Sequence, residues 1–211
     1  MARKTKNIPT RNKFIIITNG KESEKNYFTK LRGFRRSVYD IEVEFDNAAP
    51  LSLVQRAVRE KNSSNTVWIV FDKDEFPKDA VYRAMQIAKQ ENIGVAFSNI
   101  AFEVWLISHF REFSLEKNAD ELLDILDMLL KNHGYKKGYE KNDEEVFEKQ
   151  FLPVLETAVH NSDVSLQKRI AAYNSYRPND KNYPYCDWNS CTTVHKLIKA
   201  LKLEPKNESD Q

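Results

Sequence analysis

The chain has 211 residues, enough for one sizeable core, and 33 Lys and Arg against 31 Asp and Glu leave a formal charge of +2, so bulk charge alone selects no polyanionic partner. Hydrophobic residues at 41%, charged residues at 30%, and only 5 Gly and 7 Pro exclude a disordered or collagen-like chain. No apolar run is long enough for a bilayer crossing, and the basic residues 1–12 carry no signal-like apolar stretch, so a flexible amino end, no membrane and a cytoplasmic address are expected.

Residues 13–18 form a buried-strand run closed by Asn19-Gly20, and Ser23 is expected to cap a helix that sets Tyr27, Phe28 and Leu31 on one face. Residues 39–46 alternate strictly, with Tyr39, Ile41, Val43 and Phe45 opposite Asp40, Glu42, Glu44 and Asp46, the pattern of an edge or half-exposed strand. A helix over 51–61 leads to 66–71, apolar on both faces and so a central strand, which ends in Asp72-Lys73-Asp74. A helix over 78–91, a strand over 94–98 and a helix over 101–110 complete four βα units. The expected fold class is therefore α/β, with a parallel sheet of about four strands flanked by helices over residues 13–113.

Beyond residue 113 only helices are expected, over 120–132, 144–160 with a break at Pro153, 164–176 and 192–203. They would make an all-helical region over 114–203 packed on the sheet, followed by a flexible tail over 204–211. Residues 177–189, rich in Pro, Asn, Asp and Tyr, read as an ordered loop or lid. Cys186 and Cys191 read as reduced thiols, since His195 is the nearest histidine and no second ligand pair stands at zinc spacing.

In open α/β sheets the working crevice lies outside the carboxyl ends of the strands. There this sequence concentrates acids: Glu22 and Glu24 after the first strand, Asp72 and Asp74 after the third, and Glu103 a turn beyond Ser98-Asn99. Asp72 and Asp74 project from the same side of an extended segment, an arrangement suited to one hard cation such as Mg²⁺, which takes oxygen ligands and keeps several waters. The plainer readings are turn chemistry for the Asp-x-Asp, macrodipole-favoured acids for Glu22, Glu24 and Glu103, a permissive turn for Gly20 and a packed core histidine for His109.

Three segments resemble the RloB-like proteins, which carry a Toprim-related domain: Ile15 through Gly20 and on to Ser23-Glu24 and Tyr27-Phe28; Val67 through Asp74; and Ser98-Asn99 through Phe102-Glu103-Val104-Trp105-Leu106 to His109-Phe110. Cys191 through Leu197 is similar to the family's carboxyl-terminal signature. The resemblance implies a Toprim-like fold in which a strand-one Glu and an Asp-x-Asp pair bind Mg²⁺, with Mn²⁺ as a substitute, for phosphodiester chemistry. Asp72 and Asp74 match the pair, whereas Asn19 stands where the family usually has Glu. Asn19 can offer a metal its carbonyl oxygen but cannot act as a base, and Glu22, Glu24 or Glu103 are the candidates to replace that carboxylate.

The resemblance also implies a role in anti-phage defence beside an ABC/AAA-type ATPase, and with it the expected function is a Mg²⁺-dependent nuclease acting on RNA, tRNA included, in preference to DNA. Its catalytic set would be Glu24, Glu103, Asp72 and Asp74, its metal ligands Asp72, Asp74 and Asn19, and its substrate contacts Gly20, Lys21, Lys73, Asn99, Arg35 and Arg36. The alternative is an eroded Toprim-like module that binds nucleic acid or the ATPase without cutting. A phosphotransfer receiver is a third class, disfavoured because the first strand ends without acids and the fourth without a lysine.

Overall fold

Ile15, Ile16 and Ile17 fill both faces of strand β1 (Lys13–Thr18) and are at most 6% exposed, as β-branched residues are when a parallel strand has neighbours on either side. The computed structural model describes residues 12–73, 76–180 and 182–204. The expected flexible amino end, Asp74, and the expected tail from 205 onward lie outside the described residues.

From β1 the chain runs through α1 (Ser23–Phe34), the short β2 (Arg36–Ser37), β3 (Asp40–Phe45), α2 (Pro50–Glu60), β4 (Asn65–Asp72), α3 (Lys78–Gln90), β5 (Gly94–Asn99) and α4 (Glu103–Ser108). Strands β3, β1, β4 and β5 lie side by side in that order, all parallel. β3 and β4 flank β1 on opposite sides, so the order reverses at β1 and the crevice between the ends of β1 and β4 is a topological switch point.

Helix α1 follows β1, but Ser23 does not cap it: Glu22 holds the N-cap position and no side chain caps the helix. The acidic side of β3 is neutralised from α2, where Arg56 pairs with Glu44, with Asp46 at 3.0 Å and with Glu60 at 2.7 Å.

The second half is α5 (Ala119–Asn132), α6 (Glu144–Val146), a π-helical turn (Phe147–Phe151), a 3-10 turn (Leu152–Val154), α7 (Leu155–Tyr176), a 3-10 turn (Tyr185–Asp187), β6 (Cys191–Thr192), α8 (Val194–Ala200) and β7 (Leu203–Glu204). The distortion falls at Pro153, as proline's missing N–H requires. The expected break between 160 and 164 does not occur, and α7 is one helix of 22 residues.

Two corrections concern strands. The sheet has five strands, because β6, from the region read as all-helical, adds antiparallel to β5. Thr193 fastens it: its N–H donates to the Phe97 carbonyl at 2.8 Å, and its hydroxyl accepts from the Phe97 N–H at 2.9 Å. The Ser98 and Thr192 hydroxyls meet at 3.0 Å. The helix expected over 192–203 is accordingly shorter, and Glu204, expected in the tail, pairs with Arg36 in the β2–β7 ribbon.

Alternation along the strands divides the core. Phe14, Ile16, Val70 and Ala96 face α1, α4, α5, α7 and α8, whereas Ile15, Ile17, Ile69, Phe71 and Phe97 face α2 and α3. α4 is buried on every side, with Val104, Trp105, Leu106 and Ile107 at most 1% exposed. Its position between the sheet and the carboxyl-terminal helices fixes where Glu103 begins.

Candidate active site

The switch-point crevice is framed by three strand ends. β1 ends at buried Thr18, whose hydroxyl lies 3.1 Å from both the Gly20 and Glu44 carbonyls and holds the turn against β3. Asn19 continues the face of Ile17, toward α2, and its amide donates to the Asp46 carbonyl at 3.2 Å and the Ala48 carbonyl at 2.8 Å. Its side chain is thus engaged in holding the β3–α2 connection. Asn99 does the equivalent work at β5, donating to the carbonyls of Tyr185 at 3.2 Å and Cys186 at 2.9 Å.

Half-buried Asp72 ends β4 in register with Ser98 of β5. Two residues past Val70, it falls on the opposite sheet face from Asn19, the face covered by α1 and α4. Lys73 follows, half-buried, with its N–H donated to the Ser98 carbonyl at 2.8 Å.

Glu24 and Glu103, each in the first turn of its helix, are 6% and 3% exposed, an unusual depth for carboxylates. Glu24 folds back over Gly20 so closely that a Cβ there would overlap its carboxylate. Gly20 is therefore a seat for Glu24 as well as a turn residue. Both carboxylates converge on Tyr139, from the loop between α5 and α6. Burial, and next the charge of Glu103 with a smaller share from Glu24, raise the Tyr139 phenol well above its ordinary pKa.

The phenol is therefore held neutral, 3.0 Å from the Ser23 hydroxyl. One Glu103 oxygen, Oε1, is buried without a hydrogen-bond partner, and the half-exposed Lys141 ammonium stands 3.6 Å from it. The site thus comprises two buried carboxylates, a neutral phenol, a serine hydroxyl and a lysine, on the sheet face that Asp72 shares.

Sequence reasoning named the two glutamates and Asp72 but not Ser23, Tyr139 or Lys141. Tyr139 lies over a hundred positions from Ser23 in an irregular loop, where the only local cue is Gly138, which sits at φ +80°. Lys21 and Glu22 are exposed at the mouth. Arg35 and Arg36 lie elsewhere, past the other end of α1, whose 12 residues span about 18 Å. There Arg35 pairs with Glu156 at 2.9 Å and Arg36 lies in the β2–β7 ribbon, so the structure removes both from the crevice.

Among the described residues no three His, Cys, Asp or Glu side chains assemble into a metal-binding group. The carboxylate oxygens of Asp72, Glu24 and Glu103 are hard donors of the kind Mg²⁺ takes one or two at a time alongside water, and Glu103 Oε1 is buried with no hydrogen bond, only the Lys141 ammonium at 3.6 Å.

Other titratable groups nearby are committed to packing. His109 is 2% exposed, and burial lowers its pKa to about 3. Its Nδ1 faces the Trp105 and Leu106 carbonyls at 3.2 Å, so Nδ1 carries the proton and Nε2 accepts from the Tyr27 hydroxyl at 3.0 Å. Cys186 and Cys191 are free buried thiols, pushed by burial to about 11 and about 12, and both stay protonated at neutral pH.

Compared with known proteins, the chain matches the family model described as RloB-like protein over residues 14–201. No curated protein and no solved structure matches it.

Proposed function

This chain belongs to the RloB-like protein family, and from that premise we propose that it is a Mg²⁺-dependent, Toprim-like nuclease acting on RNA, tRNA included, in preference to DNA, in anti-phage defence beside an ABC/AAA-type ATPase. The observation that carries the enzymatic reading is the pair of buried carboxylates, Glu24 and Glu103, whose charges both act on Tyr139 on the sheet face that Asp72 shares. Burying carboxylates is unfavourable unless partners or chemistry require it.

Asp72 and Asp74 would hold the cation, with Glu103 Oε1 as an adjoining oxygen. When bound, Mg²⁺ would polarise a phosphate oxygen and favour attack by water. Glu24 and Glu103 orient that water and accept its proton, and the neutral Tyr139 phenol donates a hydrogen bond to the same cluster. Lys73 and Lys21 offset phosphate charge at the mouth of the crevice.

The test is cleavage of RNA and DNA substrates by the purified chain with Mg²⁺ or Mn²⁺, beside Asp72→Ala/Asp74→Ala and Glu103→Gln. Cleavage should fall by about a hundredfold or more in both variants, the range seen when acid–base or metal-holding groups are removed. Equal cleavage by the wild type and the variants would refute the assignment.

A second reading, a module that binds nucleic acid or the ATPase without cutting, has one observation in its favour. Asn19, at the family's strand-one Glu position, is tied to the Asp46 and Ala48 carbonyls. RNA binding that survives EDTA, with no cleavage under any divalent metal, would select it.

A further inference from the structure

On the sheet face opposite the glutamates, a cleft of about 530 Å³ opens between α3, β5 and the start of α8. Its floor is apolar, made by Met85, Ile93, Val95 and Phe97. Its walls are the rings of Tyr82 on α3 and of Tyr183 and Tyr185 in the loop before β6, and Gln86, Asn182 and Thr193 supply polar edges. The charged residues lining it are Lys89 and Lys196, and no Asp or Glu joins them among the described residues.

Lys196 is the unusual member. Its ammonium lies 3.2 Å from the Tyr185 hydroxyl and 5.1 Å from the centre of that ring, and no carboxylate pairs with it among the described residues. Burial holds its pKa below the ordinary lysine value, more than the charge of Asp163 offsets. Lysines nearby do have anions: Lys78 pairs with Asp187, and Lys199 with Asp163 at 2.6 Å.

A second cleft of about 530 Å³ shares Tyr82 and Asn182 and adds Tyr173, Tyr176 and Arg177. Tyr176 is 87% exposed, and the Arg177 guanidinium lies 5.7 Å from the Tyr173 ring. The acids in this second cleft are engaged already, Asp180 by the Tyr173 hydroxyl at 2.6 Å and Asp187 by Lys78.

We propose that the first cleft binds a nucleotide, its base laid against the Tyr82, Tyr183 and Tyr185 rings and its phosphate met by Lys196 and Lys89, and that the second cleft continues the track for the next unit of a single strand. Aromatic faces accept any base by stacking, and cations beside them follow the phosphates, the combination by which single-stranded nucleic acid is held. The volume is that of a small-molecule site, and an apolar floor with few polar edges orients a flat ligand. An acidic peptide would satisfy the lysines but would leave the tyrosine walls without flat partners. This site lies on the sheet face opposite the glutamates and needs no metal.

The test is made in EDTA with the full chain: titration of a labelled single-stranded RNA octamer, and separately of a mononucleotide, against the wild type, Lys196→Met, Lys89→Glu and, as a control at the cap of α5, Asn118→Ala. The wild type and Asn118→Ala should bind alike, Lys196→Met about tenfold more weakly and Lys89→Glu about threefold. Lys89 lies on an exposed helix surface, so its variant keeps the test valid if Lys196→Met fails to fold. Binding of both ligands with the same sensitivity identifies the mononucleotide as sufficient, and binding of the octamer alone identifies a strand. Absence of binding by either ligand, or equal binding by wild type and both lysine variants, overturns the proposal, and neither result bears on cleavage at Asp72.

Discussion

Among the described residues, every buried carboxylate and imidazole (Glu24, Glu103, His109 and His195) lies on the side of the sheet covered by α1, α4, α7 and α8, while the α2–α3 side buries an apolar layer and lines its cleft with Lys89 and Lys196. Both sides are closed by helices, so the contrast is not one of exposure. The first side holds the buried acids and imidazoles; the second sets two lysines beside an apolar, tyrosine-walled cleft. Chemistry and pH sensitivity should therefore sit on one side, and recognition of phosphate on the other.

Acid gives the largest expected effect. Burial lowers His109 to about 3 and His195 to about 4, from an ordinary 6.5. With folded values depressed, the unfolded chain takes up protons first, so this stability is full above about pH 6.5 and is lost as pH falls toward the folded values. Each histidine contributes a slope of about 1.4 kcal/mol per pH unit, or about 4 kcal/mol for the pair between pH 6.5 and 5. Urea titrations at pH 7.5 and 5.0 should show that loss, with about half of it in His109→Gln; a flat profile would mean that the imidazoles ionise in place.

An intermediate effect is expected at Gly20. Alanine there would drive a methyl into the Glu24 carboxylate, whereas a Cβ at Gly33, at the other end of the same helix, would meet nothing within 4 Å. Gly20→Ala should destabilise by about 1–3 kcal/mol and depress any metal-dependent cleavage, while Gly33→Ala should be neutral or stabilising by up to about 1 kcal/mol. Similar urea midpoints for the two variants would show that Glu24 leaves its seat freely.

The smallest effect lies at a helix cap. Asn118 and Glu121 form a reciprocal cap at the start of α5, each accepting the other's N–H at 2.9 Å. Asn118→Ala should cost about 1 kcal/mol with cleavage and nucleotide binding unchanged. A larger loss would tie α5 to one of the two sites.

Much of the fold was legible because its signals are local. Helices expected over 51–61, 78–91 and 120–132 appear as Pro50–Glu60, Lys78–Gln90 and Ala119–Asn132, since amphipathic spacing is written within each segment. The rhythm of βα units was equally readable from the apolar runs. The polar run from His160 to Asp163 misled because its justification is distant: Asn161 donates to the Ser108 carbonyl at 2.9 Å, Ser162 meets His195 at 2.7 Å and Asp163 pairs with Lys199 at 2.6 Å. Polar residues that look like a helix break are there satisfied by other elements.

By itself the sequence determined the class of the fold, the order of its parallel units and the acids at its strand ends, because periodicity and strand-end position need only near neighbours. Tertiary structure alone decided that β6 closes the sheet, that Asn19 and Asn99 hold loops, and that Glu24 and Glu103 share Tyr139. Each of those outcomes depends on a hydrogen bond or buried charge whose partner lies 25 or more positions away, and desolvation makes such partnerships obligatory only once the chain has folded.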